Sequence, residues 1–177
     1  MHDCRRTHSS ATFYSLTKVK SMSTLSELSE DVPSVTEYIE NMAATYRGGF
    51  IRQRDSYTLK KEATDILKTL VDDYVIVAFF ADWCGDSRRA IPVLSLLEQE
   101  LDFKVRAFGG MTKPPFGSKT NWAVPPSPKE VEVCDITSSP TIVVYKKSGE
   151  EVGRMKTKPR MAPTVEEEII WIIEKDN

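Results

Sequence analysis

The residue best suited to covalent chemistry near neutral pH is Cys84, in the segment Trp83-Cys84-Gly85-Asp86-Ser87. A cysteine attacks as its thiolate, so surroundings that favour an anion set its reactivity. Cys84 follows the apolar run Val75 to Ala81 and precedes a helical pattern that opens near Ser87. That places the sulfur at a helix N-terminus, where unpaired amides and the helix dipole favour negative charge. Arg88 and Arg89 add positive potential, although exposed arginines beside a helix are more often simply solvated. The chain holds 3 cysteines, Cys4, Cys84 and Cys134, and 2 histidines, His2 and His8. The cysteines are odd in number and far apart, unlike the disulfide framework of a secreted scaffold, so a reducing, cytoplasmic setting is expected. With no C-x-x-C pair and both histidines near the start, no ordinary zinc spacing exists and no metal is expected.

The elements that must hold Cys84 follow from periodicity. Val35, Tyr38, Ile39, Met42 and Tyr46 recur at helical spacing, with Pro33 at the opening and Gly48-Gly49 as the expected stop. Leu59, Ala63, Ile66, Leu67 and Leu70 make the apolar stripe of a second helix from about Thr58 to Val71. Val75 to Ala81 is apolar without alternation, as in a central strand covered on both faces. Ala90, Ile91, Val93, Leu94, Leu96, Leu97 and Leu101 predict a helix from Ser87 to Leu101, kinked at Pro92. A strand over Lys104 to Phe108 and a long loop over Gly109 to Pro126 follow. Ser127-Pro128 suits the cap and first turn of a short helix ending near Cys134. Thr141 to Tyr145 and Val152 to Met155 flank a glycine-bearing turn as a hairpin, and Val165, Ile169, Ile172 and Ile173 predict a closing helix. Helices and strands in this order make an α/β sandwich with a mixed sheet.

Composition narrows the partners. An apolar fraction of 40%, a charged fraction of 28% and a formal net charge of -2 over 177 residues are ordinary for a globular chain. There is no basic field to gather phosphates, so nucleic acid is not expected as a partner. No apolar run approaches the ~20 residues a membrane-crossing helix needs, so no membrane association is expected. Met1 to Met22 is basic, hydroxyl-rich and poor in acids. It reads as a transit-like leader, a start-site extension or a disordered tail, and the composition favours the tail. The expected organisation is a disordered basic tail over 1–30, a helical extension over 31–55 and one α/β domain over 56–177.

The segment Phe80-Ala-Asp-Trp-Cys-Gly-Asp-Ser87 resembles the active-site segment of the thioredoxin family, W-C-G-P-C, and Pro92 matches that family's helix proline. Ile136-Thr-Ser-Ser-Pro-Thr141 is similar to the family's loop ending in a cis-proline and threonine. The matched spacing runs from about Val75 to Met155. The resemblance implies a thioredoxin fold, a central mixed sheet flanked by helices with an extra N-terminal helix, and a cis peptide before Pro140 lying against Cys84. It implies thiol-disulfide oxidoreductase chemistry on protein or small-molecule disulfides, with Cys84 as nucleophile. Trp83, Gly85, Asp86, Ser139 and Pro140 would contact substrate, and the Ser139 backbone would pair with an extended peptide. Trp83 is expected to pack under the site, while Trp122 suits a small local core or a partner surface.

Four departures alter what the resemblance implies. Ser87 stands at the position of the resolving cysteine, and a hydroxyl cannot displace a mixed disulfide. Release would then fall to an external thiol such as glutathione or to a reductase, with no bound cofactor required. Ser87 is either the natural residue of a monothiol protein or a serine introduced into a dithiol one. Ala78 stands where thioredoxins keep a buried aspartate. Asp86 replaces the motif proline; its carboxylate suits a helix cap but opposes a thiolate beside it. The 109–126 loop exceeds the family's usual length. Cys134, at the end of the helix before the proline loop, reads as a small core residue ahead of a substitute resolving thiol. Two other readings stand beside the oxidoreductase. One is a redox-inactive peptide-binding adapter of the same fold. The other, weaker one compares Cys84-Gly85-Asp86-Ser87 with the C-G-F-S site of monothiol glutaredoxins, which hold an iron-sulfur cluster.

Overall fold

The computed structural model describes residues 23–117 and 122–176. Cys4, His2, His8 and the basic stretch over 1–22 lie outside the described residues. The elements are α1 (Val35–Asn41), α2 (Ala44–Ser56), α3 (Lys61–Lys68), β1 (Tyr74–Phe79), α4 (Gly85–Leu101), β2 (Val105–Phe108), α5 (Glu130–Val133), β3 (Thr141–Lys146), β4 (Glu151–Lys156) and α6 (Val165–Asp176). From α3 onward the order of helices and strands is the one the periodicity predicts.

The four strands form one mixed sheet in the order β2-β1-β3-β4. β1 runs parallel to β2 and antiparallel to β3, and β3 pairs antiparallel with β4. Every residue of β1 is buried, because both faces of this central strand are covered. Ile76 and Ala78 face a core built from α1, α2, α3, α4 and α6, through residues such as Ile39, Phe50, Leu67, Leu94 and Ile169. Val75, Val77 and Phe79 face a second core closed by Leu25, Leu28, Met111, Val131 and Cys134. This double covering is why the run carries no alternation.

The structure corrects several boundaries. Residues 23–30, grouped with the tail on composition, lie on the core: a single 3-10 turn at Leu25–Glu27 buries Leu25 and Leu28. The first helical stretch is two helices, and Gly48-Gly49 sits inside α2 rather than ending α1. α3 is shorter than Thr58 to Val71, because the Lys60 amide turns to the Glu166 carboxylate at 3.3 Å. Ile66, expected in its apolar stripe, faces solvent. Ser127 does not cap α5: its hydroxyl accepts the Thr112 amide at 2.8 Å across the base of the loop, and Lys129 occupies the cap position. Within the 109–126 loop a bridge joins Thr112 to Val124 and the Pro125-Pro126 peptide is cis.

The start of α1 is fixed by an acid from another helix. Glu98 of α4 accepts from the amides of Val35 at 2.9 Å and Thr36 at 2.8 Å, and from the Thr36 hydroxyl. These are orphan donors of a helix start, satisfied here by a distant carboxylate. Burial nonetheless holds the Glu98 carboxyl above its ordinary range, against the pull of those donors. At the far end of the sheet Glu168 accepts the amides of Arg160, Met161 and Ala162, which pins the loop between β4 and α6.

Candidate active site

β1 ends at Phe79, and the chain turns through Phe80 to Trp83 before α4 begins at Gly85. Cys84 is the N-cap residue of α4, half-buried, and its carbonyl receives the Arg88 amide at 3.1 Å. Its thiol sulfur lies 3.4 Å from the Ser139 carbonyl, to which the protonated thiol donates. The Ser139-Pro140 peptide is cis, and the next carbonyl, that of Pro140, accepts the Thr157 amide at 2.7 Å. The loop before β3 is thus fastened at adjacent carbonyls, one to the thiol and one to the strand end beyond β4.

Side chains bind the same loop to the start of α4. The Ser139 hydroxyl accepts the Ala81 amide at 2.9 Å and lies 3.0 Å from the Ser87 hydroxyl. Ala81 and Ser87 are wholly buried and Ser139 nearly so. The resolving-cysteine position is therefore filled by a buried hydroxyl held by the proline loop. Pro92 sits within α4 without ending it. Ala78, in place of the buried aspartate, is packed with Ile76 and Phe80 in the helix-covered core.

Of the residues singled out by sequence, the structure brings Cys84, Ser87, Ser139 and Pro140 together. Gly85 is exposed at the first turn, with open space where a side chain would project. Asp86 does not cap α4; it pairs with Arg89 at 3.1 Å on the outer face of the helix. Trp83 does not pack under the site. It is 47% exposed, its indole N–H donates to the Met111 carbonyl at 3.2 Å, and its ring stacks on Trp122 at a centroid distance of 6.0 Å. A lone tryptophan beside a thiol suggests burial, but here the inserted loop supplies a second aromatic face and the pair forms a wall at the surface.

Sequence reasoning passed over three residues behind the thiol. Asp82 accepts the Tyr38 hydroxyl at 3.0 Å and the Gly110 amide at 3.3 Å, tying α1 and the 109–126 loop to the turn before Cys84. Burial, with Asp82 adding to it, raises the pKa of the Tyr38 phenol, so the hydroxyl keeps its proton. Gly109 is required by this packing, since a β-carbon there would lie 2.1 Å from the Tyr38 ring. The paired glycines Gly109-Gly110 were the available signal, because a tight turn is not the only use of glycine: close approach is another. Cys134 is buried on the other core, 3.7 Å from the Tyr145 hydroxyl, and burial pushes its thiol up. Both described cysteines are free thiols. Among the described residues no cluster of three or more histidines, cysteines or carboxylates could hold a metal ion, and no helix is long and apolar enough to cross a membrane.

A mixed sheet carrying a thiol at the head of a helix, opposite a cis-proline loop, is the thioredoxin architecture. A family model described as thioredoxin matches residues 32–109. A thioredoxin of Chlamydia muridarum is 30% identical over 86 residues, spanning 49% of this chain and 71% of that protein. A thioredoxin of Chlamydia trachomatis is 29% identical over the same length and shares. The chain belongs to the thioredoxin family. Among solved structures, a protein of unknown function from Pseudomonas aeruginosa superposes with a TM-score of 0.65 at 15% identity, covering 88% of this chain and 100% of that one. An HIV epitope-scaffold superposes with a TM-score of 0.58 at 14% identity, over 86% and 91%. These two likenesses concern the fold alone.

Proposed function

We propose that the protein is a thiol-disulfide oxidoreductase working through the single thiol of Cys84, with Ser87 in the position of a resolving cysteine. The observation that carries this reading is the 3.4 Å approach of the Cys84 sulfur to the Ser139 carbonyl, at the head of a helix and beside a cis-proline. Attack of the Cys84 thiolate on a disulfide forms one S–S bond and breaks another; the leaving thiolate takes a proton from solvent. Cys84 is then held in a mixed disulfide. The Ser87 hydroxyl is a poor nucleophile toward sulfur and is engaged by Ser139, so the second exchange falls to an external thiol such as glutathione. That thiol takes the substrate sulfur into a new disulfide and returns Cys84 to its reduced form. Protein and small-molecule disulfides both fit an exposed site. Trp83, Gly85, Asp86, Ser139 and Pro140 line the approach, and an extended substrate would pair with the backbone at Ser139.

Insulin reduction tests the reading. The protein is expected to act weakly alone, better with glutathione supplied, and not at all as Cys84→Ser. Ser87→Cys should reduce insulin stoichiometrically without glutathione, the electrons coming from its own two thiols, which end as an intramolecular disulfide. Absence of activity in both the unaltered chain with glutathione and Ser87→Cys would overturn it.

A further inference from the structure

We propose that Arg52 and Arg88 bind an oxyanion, the carboxylate or phosphate group of a small ligand, over a floor that includes Gly49. The two guanidinium groups, one from α2 and one from α4, line a cavity of about 220 Å³ together with Gly49, Gln53 and Ser56. No carboxylate lines it. Among the described residues neither guanidinium has a hydrogen-bond or ion-pair partner, whereas the neighbouring arginines do. Arg47 donates to the Glu40 carbonyl, Arg54 pairs with Asp55, and Arg89 pairs with Asp86. The acids nearest in sequence, Asp55 and Asp86, are thus engaged by other residues. Two cations gathered in one cavity repel, and an anion between them relieves that repulsion. The planar fork of an arginine matches a carboxylate or a phosphate with two parallel hydrogen bonds.

The glycines supply an independent observation. A glycine inside a helix is less favourable than alanine, and α2 contains two in succession. A β-carbon on Gly49 would lie 2.7 Å from Cδ of Arg88, and one on Gly48 would lie 3.3 Å from Nη1 of Arg52. Each missing side chain is therefore replaced by an arginine laid across the helix. The glycines do not mark a helix stop; they let both guanidinium groups lie low over α2. Arg88 is one helical turn beyond Cys84, and its amide donates to the Cys84 carbonyl, so one helix carries both the thiol and half of the site, while Cys84 does not line the cavity.

The test is a titration of the isotopically labelled full chain with inorganic phosphate and, separately, with acetate, at constant ionic strength, followed by NMR. Saturable shifts are expected at the Gly48 and Gly49 amides and at the Nε–H groups of Arg52 and Arg88. Saturation by phosphate assigns a phosphate-bearing ligand, and saturation by acetate a carboxylate-bearing one. In R52Q/R88Q binding should weaken by about tenfold or more, the loss expected on removing charged hydrogen-bond donors. Both side chains are exposed, so this variant should fold. Gly49→Ala, which forces Arg88 aside, should weaken binding similarly. Linear, unsaturated shifts with both anions, or equal binding in R52Q/R88Q, would overturn the proposal.

Discussion

The hydroxyl of Ser139 ties the proline loop both to the turn after β1, at Ala81, and to α4, at Ser87, and Ser139→Ala isolates its contribution. The substitution removes the acceptor of the Ala81 amide, 2.9 Å away, and the partner of the Ser87 hydroxyl, 3.0 Å away. Ala81 and Ser87 are fully buried, so water cannot replace the lost partner. A buried donor left unsatisfied costs about 1–3 kcal/mol, and the hydroxyl pair contributes roughly 0.5–1.5 kcal/mol more. The expected loss is therefore about 1.5–4.5 kcal/mol, read from urea unfolding as a lower midpoint with unchanged slope. Ser87→Ala, which leaves the Ala81 amide satisfied, should cost about 1 kcal/mol. In the double variant the hydroxyl pair is lost only once, so the two costs should add to less than their sum by roughly 0.5–1.5 kcal/mol. A Ser139→Ala loss under about 0.5 kcal/mol, the size of an ordinary surface substitution, would refute the assignment of this hydroxyl as a structural tie.

Two further outcomes follow from the surroundings of the site. Gly109→Ala places a β-carbon 2.1 Å from the Tyr38 ring and should destabilise by about 1–3 kcal/mol, as overpacking does; denaturant unfolding checks it, and a neutral result would show that Tyr38 moves freely. Glu98 has its carboxyl raised mainly by burial, so its ionisation is harder in the folded chain than in the unfolded one. Its contribution is full below the ordinary glutamate range and is lost as pH rises through the higher folded value. The stability of the unaltered chain relative to Glu98→Gln should therefore fall as pH rises from below the ordinary glutamate range to above it, as followed by thermal or urea unfolding.

Much of the fold was legible because burial acts on patterns several residues long. The unalternating run at Val75 to Ala81 reads as a strand covered on both faces, and β1 is such a strand. The hairpin and the closing helix likewise follow from spacing. What periodicity could not supply was any interaction between distant parts of the chain. Gly48-Gly49 reads locally as a helix stop, yet α2 passes through both because arginines from two helices occupy the vacant space. Ser127 reads locally as a cap, yet its hydroxyl is taken by Thr112. The serine and threonine composition of residues 23–30 suggests a tail, whereas two leucines among them anchor the segment on the second core. At the site, Cys84, Ser87 and the Ser139-Pro140 pair were visible as motifs, while the hydroxyl network joining them was not. Asp82 and Tyr38 carried no local signal, since their link spans two elements that only the fold brings together. The exposure of Trp83 depended on Trp122, a residue of the inserted loop.

The central claim, that Cys84 alone forms an adduct which Ser87 cannot resolve, is tested most directly by intact-mass spectrometry after incubation with oxidised glutathione. The account predicts a mixed disulfide that maps to Cys84, persists after the excess reagent is removed, and disappears when reduced glutathione is added. An adduct that decays without added thiol, or one that forms equally in Cys84→Ser at another cysteine, would contradict it.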